Sequence, residues 1–472
     1  MRLNPRWLGL AASVLLAVSG FLAGKPYHHD AAWVTGVAVW FVALILLVRA
    51  WWALRDEPSP GSLLRTAALW SLPVLVAPPL GAQDVYAYGC QGQLFNAGLD
   101  LYRVGPSALP CTWLSAVPPL WRDTPTPYGP LWLAIEGGVA GLAHGDILVM
   151  VGLFRVVAVL GLLLCVAAAY RLSRGNALLA ASPLVLVHVV SGAHNDILLA
   201  GFALAGFALA ARRRPMLAGL VFGLAVAVKV TALIAAPFAV LLMCFGGTAR
   251  RRLSPVTFTA ALIGTYAVLA AVTSHGLGFL GALDSTTTMV QWLSIPTGVG
   301  MAAGYVLRML GAPGSFDTAV AAARAAGFVV LAAALLVLWL WALRAARRRP
   351  DSAAQPVLTA AGVALLVAAV LGPVFYAWYA IAGIAVLAGT TLTGRLRTVV
   401  HAAAAGLVFL TLPDSLGLAT KTKVPGAFLD VALVVAVVVW ALRNRPAVKA
   451  LWQAPEPAAP LPAPGEPARD LR

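Results

Sequence analysis

The sequence predicts an all-α polytopic membrane protein, and three observations carry that reading. Hydrophobic residues make up 61% of the 472 and charged residues 11%, against about 45–50% and about 25% in a soluble domain. The mean hydropathy is +0.88. Finally, the 33 Lys+Arg that outnumber the 17 Asp+Glu sit in short clusters between apolar runs, the orientation signal of membrane proteins. At roughly 30 to 35 residues per span and loop, the chain has room for about 14 transmembrane helices and almost nothing else. A cytoplasmic nucleotide-binding domain does not fit, which excludes an ATP-driven pump with its engine in the same chain. The net charge of +16 belongs to membrane orientation, with no basic–aromatic interleaving to suggest nucleic acid.

Each element follows from its flanks. Residues 7–24, behind Arg2 and Arg6, form an uncleaved first span, because a second apolar run begins at Ala31 and ends in Arg49 and Arg55. Both ends of that hairpin face the cytoplasm. A third span, about 65–80, leads to the longest polar stretch, 81–128, which by parity lies outside. Runs at 129–143, 147–170 and 177–193 make three or four passes, with Pro183 placed to split the last. The stretch 215–247 is bounded by Arg212–Arg214 and by Arg250–Arg252, so it is a hairpin of two short helices that turns near Lys229. Further spans are expected over 255–273, 320–343, 354–373 and 380–393, with a last hairpin over 398–442. The Pro/Ala-rich tail from Gln453 cannot bury a core and is expected to be disordered. This divides the chain into an N-terminal hairpin (1–64), a catalytic module with its outer loop (65–247), C-terminal helices (248–452) and a cytoplasmic tail (453–472). Both termini are cytoplasmic in this scheme.

The cytoplasmic loops are short and mostly arginine, whereas the outer loops hold aspartates, aromatics and motifs, so chemistry is expected at the outer face. The densest cluster is Asp84-Val-Tyr86-Ala-Tyr88 at the head of the first large outer loop, followed later by Trp121-Arg122-Asp123-Thr-Pro-Thr-Pro-Tyr128. A carboxylate where a span leaves the membrane is partly desolvated and suits a general base. The bland alternative is a helix N-cap, and the same pair of readings applies to Asn195 and Asp196. Cys90 and Cys111 are the two cysteines of the outer loop and are expected to pair in an oxidising compartment. No metal-ligand signature is present.

The runs QDVYAYGCQGQLFNAGLDLY, WRDTPTPYGPLW, SGAHNDILLAGFALAG, AVAVKVTALIAAPF and GPVFYAWYAI resemble the GT-C glycosyltransferases. The similarity is closest to actinobacterial polyprenol-phosphomannose-dependent α-1,6-mannosyltransferases and covers about 65–390. It implies a GT-C-type fold with a large first outer loop carrying interfacial helices. It also implies a polyprenyl phosphate mannose donor, a growing mannan or lipomannan-type glycolipid acceptor, and work at the outer face of the cell membrane. By that resemblance Asp84 is the base, Asp123 a second candidate, and Arg122, Lys229 and His194 meet the leaving phosphate. Tyr86, Tyr88, Tyr128, Asn195 and Asp196 line the cavity, and Trp378 and Tyr379 stack on a sugar. This chain reads FYAWY where the family has a proline before the Trp. No cofactor is implied, although some relatives hold a divalent ion with carboxylates. The rival readings are transfer of another sugar, and a lipid-linked sugar transporter or flippase, which predicts matching halves that this chain lacks.

Overall fold

The computed structural model describes residues 4–24, 30–173, 177–245, 253–283, 288–414 and 417–445. Among these there are helices and no strands. The expected tail, 453–472, lies outside the described residues.

The first helix, α1 (Pro5–Ala23), starts with the Asn4 side chain accepting from the Arg6 N–H and a proline in its first turn, the arrangement that fills orphan donors and tolerates a missing one. It pairs with α2 (Ala31–Ala53), capped by Asp30, and also packs on α3 (Pro60–Val76), capped by Ser59. The expected boundary at residue 64 therefore falls inside α3.

The polar segment after α3 opens with α4 (Asp84–Asn96) and continues through the short turn of α5 (Pro119–Arg122) into α6 (Pro130–Ala143). Helices α4 and α6 touch closely because Gly92 brings the α4 backbone against Glu136. Cys90 and Cys111 are joined by a disulfide, with Cα atoms 5.5 Å apart.

The long α7 (Ile147–Ser173) is followed by the single turn of α8 (Ala177–Ala180), then a π-helical stretch, Val185–Ser191. That stretch meets α9 (Asp196–Ala211) at 101°. Pro183 thus stands between two short helical pieces. Ala193 sits at the bend with φ +54°, a left-handed conformation that costs a residue with a Cβ about 1 kcal/mol or more. The corner delivers His194, Asn195 and Asp196 to one place. The hairpin expected over 215–247 appears as α10 (Pro215–Val228), a break at Lys229 with extended backbone, a 3-10 turn and α11 (Ala236–Cys244). Across that break α10 packs on α9 and on α12 (Ser254–Val272), and α11 on α9.

The remaining helices are α13 (Phe279–Ala282), α14 (Ile295–Met309), α15 (Phe316–Arg348), α16 (Ala354–Leu371), α17 (Ala380–Ala388), α18 (Gly394–Gly406), α19 (Leu418–Lys421) and α20 (Lys423–Arg443). Residues Met1–Val431 make one compact unit, and a second begins at Ala432 with the latter half of α20. Among the described residues seven helices are long and apolar enough to cross a membrane, or eight if the bent pair counts as one span. Four shorter apolar helices, among them α6 and α10, accompany them.

Two buried arginines tie helices together. Arg155 donates to the carbonyls of Leu75, Ala77 and Ser191, tying α7 to the end of α3 and to the corner before α9. Arg324 of α15 holds Thr297 and the Met289 carbonyl.

Candidate active site

Asp84 is the first residue of α4. Gln83, not Asp84, occupies the N-cap position, and its side chain makes no capping bond. The Asp84 carboxylate is instead turned to side chains from distant segments. Its Oδ1 accepts a 3.1 Å hydrogen bond from the Trp121 indole, and its Oδ2 lies 3.8 Å from His194 Nδ1. Burial pushes the Asp84 carboxyl up to about 7, opposed by the charge of Lys229 and the Trp121 hydrogen bond and reinforced by Asp196. A carboxyl tuned close to neutrality suits proton transfer at physiological pH.

Asp196 likewise opens α9 without capping it. Its Oδ1 takes the Lys229 Nζ at 2.9 Å, and that ammonium rests 4.3 Å above the Tyr379 ring and 5.7 Å from Tyr128. Lys229 is buried, so it does not snorkel to a surface: an anion and two aromatic faces hold it in place. The extended backbone at Lys229 is what lets the side chain leave the helix axis here.

Trp378 stands in a stack, with His194 4.2 Å away at 16° and Tyr376 4.6 Å away at 7°. Two near-parallel rings that close to one indole must lie on its opposite faces. Both faces of Trp378 are therefore covered, and the Lys229 ammonium covers a face of Tyr379. Tyr88 meets Tyr128 hydroxyl to hydroxyl at 3.4 Å and packs edge-on against Trp132 and Phe154. Tyr86 lies one position out of this cluster, half-buried, within reach of the Arg155 charge.

A pocket opens over these groups, lined by Asp84, Tyr88, Gln91, Trp121, Tyr128, Tyr376, Trp378 and Tyr379 among others. Of the residues expected from sequence, Asp84, Tyr88, Tyr128, Trp378 and Tyr379 line it, and His194, Asp196 and Lys229 stand directly behind. Asn195 is buried beside them, with no side-chain hydrogen bond from the described residues. Arg122 and Asp123 point elsewhere. The Arg122 guanidinium donates to the carbonyls of Val117 and Ser115, and Asp123 accepts from Ser107 on an exposed loop. Trp121, Gln91 and Tyr376 are the lining residues that the motif reading passed over. Trp121 stood next to the arginine in the same run, which was the available signal.

A second cavity, about 620 Å³ and almost wholly apolar, lies along α7 and α17 and reaches the start of α3. Its walls include Leu162, Cys165, Leu184, Ile197 and Ile381. Ile197 follows Asp196 in the chain and Ile381 stands two residues past Tyr379, while the two pockets share no lining residue. Among the described residues no group of three His, Cys, Asp or Glu could hold a metal ion.

Comparison with known proteins places this arrangement of helices and site in the class of GT-C-type glycosyltransferases. Among the family models, residues 6–245 match the alpha-(1->6)-mannopyranosyltransferase N-terminal domain, 296–443 the MptB C-terminal domain, and 128–369 glycosyltransferase family 87. Alpha-(1->6)-mannopyranosyltransferase A of Mycobacterium tuberculosis is 32% identical over 416 residues, 80% of this chain and 78% of that one. A probable alpha-(1->6)-mannopyranosyltransferase of Mycolicibacterium smegmatis is 30% identical, over 80% of this chain and 77% of its own. Alpha-(1->6)-mannopyranosyltransferase B of Corynebacterium glutamicum is 29% identical, over 81% and 68%. No solved structure matches the chain. The chain belongs to the alpha-(1->6)-mannopyranosyltransferase family, and it is a membrane mannosyltransferase.

Proposed function

We propose that the chain moves mannose from a polyprenyl phosphate donor to a growing α-1,6-mannan of lipomannan type, with inversion, at the outer face of the cell membrane. The observation that carries this reading is the isolation of Asp84. Of the nearby carboxylates, Asp196 is bound to Lys229 and Asp123 is turned away, so one base faces the pocket. With one base the displacement is in line. The acceptor hydroxyl gives its proton to Asp84, its oxygen bonds to the anomeric carbon, and the C–O bond to phosphate breaks with its electron pair leaving on the phosphate. A β-linked donor then gives an α-linked product.

The leaving phosphate needs cationic or hydrogen-bonding partners, and we assign that role to His194 and to Lys229, which would share its ammonium between Asp196 and the phosphate. Arg122 is committed to carbonyls of its own loop and takes no part. The apolar cavity along α7 and α17 supports a lipid donor, since an isoprenoid chain needs a dry seat. The disulfide between the catalytic helix and its loop supports the outer face, where cysteines oxidise.

The reading is tested by donor chain length. Ala385→Phe narrows the apolar cavity from α17. It should raise the donor KM for a long polyprenyl phosphate mannose several-fold and leave a two-isoprene analogue unchanged. Equal effects on both donors, or on neither, would separate the cavity from the donor. Wild-type membranes that transfer no mannose from any polyprenyl phosphate would remove the donor assignment itself.

A further inference from the structure

We infer that Trp121 is a positioning residue for the transfer: its indole N–H occupies Oδ1 of Asp84 and so reserves Oδ2 as the oxygen that receives the acceptor's proton. The inference rests on the proposed role of Asp84 as base.

The geometry is specific. A carboxylate has two equivalent oxygens and rotates freely unless its environment distinguishes them. Here the two oxygens differ. Oδ1 accepts from Trp121 Nε1 at 3.1 Å, while among the described residues Oδ2 has only its 3.8 Å approach to His194 Nδ1. An indole nitrogen donates and cannot accept, and the carbonyl-like oxygen of a carboxylic acid is the better acceptor, so with this contact intact an incoming proton is favoured on Oδ2. The Trp121 donor also favours the charged carboxylate over the neutral acid, which keeps the base available in a site where burial works against ionisation.

Trp121 is itself built into place. It lies on α5, a single turn whose start is fixed by the Trp121 N–H to the Pro118 carbonyl at 2.9 Å. The next residue, Arg122, ties that turn back to Val117 and Ser115. Upstream, the Cys90–Cys111 disulfide fastens the same loop to α4, the helix that carries Asp84. The Trp121 ring stands 6.3 Å from Tyr376, which is the outer layer of the stack on Trp378. The arginine expected at the phosphate is thus a brace for the tryptophan beside it.

The other groups around Asp84 are Lys229 from the end of α10, Asp196 and His194 from the start of α9, and the phenols of Tyr88, Tyr128, Tyr376 and Tyr379. Trp121 is the one that donates to the carboxylate directly.

The experiment compares the pH dependence of kcat/KM in wild type, Trp121→Phe and Trp121→His. Phenylalanine keeps the ring and removes the donor, whereas histidine restores a ring N–H. Trp121→Phe should lower kcat about tenfold or more, the usual scale for a hydrogen bond to a charged group. It should also move the acid limb to higher pH, and leave the donor KM within about twofold, consistent with a role confined to Asp84. Trp121→His should recover part of the rate and return the limb toward wild type. An acid limb that stays put in Trp121→Phe, or Phe and His variants that behave alike, would reduce Trp121 to packing. Unreduced peptide mapping of the Cys90–Cys111 crosslink reports whether each variant keeps its fold. Activity in Asp84→Asn would instead overturn the base assignment, and that failure is distinct from a failure at Trp121.

Discussion

The buried pair between Lys229 and Asp196 makes a quantitative test. Lys229→Met removes the ammonium and leaves the Asp196 carboxylate enclosed, with Oδ2 already lacking a hydrogen-bond partner among the described residues. Removing one half of a buried ion pair commonly costs about 3–5 kcal/mol, because the remaining charge is uncompensated. The loss of two aromatic contacts to the ammonium, at 4.3 Å and 5.7 Å, adds to this, while protonation of Asp196 relieves part of it. The single variant should therefore lose about 3 kcal/mol. Lys229→Met combined with Asp196→Leu removes both charges and should recover most of that loss, giving a coupling of about 2 kcal/mol or more.

The assay is thermal unfolding of the detergent-solubilised protein across the four members of the cycle. Burial raises the Asp84 carboxyl to about 7 even with the Lys229 charge pulling it down. The single variant should thus need higher pH to ionise its base, and its acid limb should move up. Its donor KM should rise as well, with the acceptor KM hardly changed. A single variant that costs under about 1 kcal/mol, or that matches the double variant, would show that the pair is not coupled and refute the reasoning.

Reduction of Cys90–Cys111, or Cys90→Ser, should cost roughly 3 kcal/mol, given the 21-residue separation that the crosslink closes. Activity should fall with it, as Trp121 loosens, and free alkylation of both thiols in native protein would contradict the pairing. Gly92→Ala should be poorly tolerated, since a Cβ there would overlap the Glu136 carbonyl oxygen and force α4 away from α6. Gly138→Ala, which meets nothing within 4 Å, is the control and should be neutral or stabilising by about 0.5–1 kcal/mol in a melting assay.

Much of this architecture is written in local pattern. Arginines at both ends of 215–247 forced a break in the middle, and the chain breaks at Lys229. Pro183 marked the division before the corner, and the polar head of the outer loop marked Asp84. What local pattern does not carry is which polar groups meet. Lys229 reaches Asp196 across 33 residues and Asp84 takes Trp121 across 37, and neither spacing has a period that a helix or loop would announce. The same limit explains Arg122. A guanidinium near a phosphate site and one that ties down its own loop look alike until the carbonyls of Val117 and Ser115 are in view. At FYAWY, the family resemblance implied a platform for a sugar, but the stacking of His194 and Tyr376 on Trp378 depends on two segments meeting in space. The number of crossings was also less legible than the helical class. Several apolar helices, such as α10 with 14 residues, are too short for hydropathy alone to settle.

The central claim, that Asp84 is the base of a mannosyl transfer, is tested most directly by Asp84→Asn. Asparagine keeps the shape of the side chain and its contact with the Trp121 indole while removing the ability to take a proton. Membranes carrying the variant would be given labelled polyprenyl phosphate mannose and a short α-1,6-mannose acceptor. The variant should lose about 10²–10⁴ in kcat, with unchanged expression and an intact Cys90–Cys111 crosslink. Turnover close to wild type in Asp84→Asn would contradict the account.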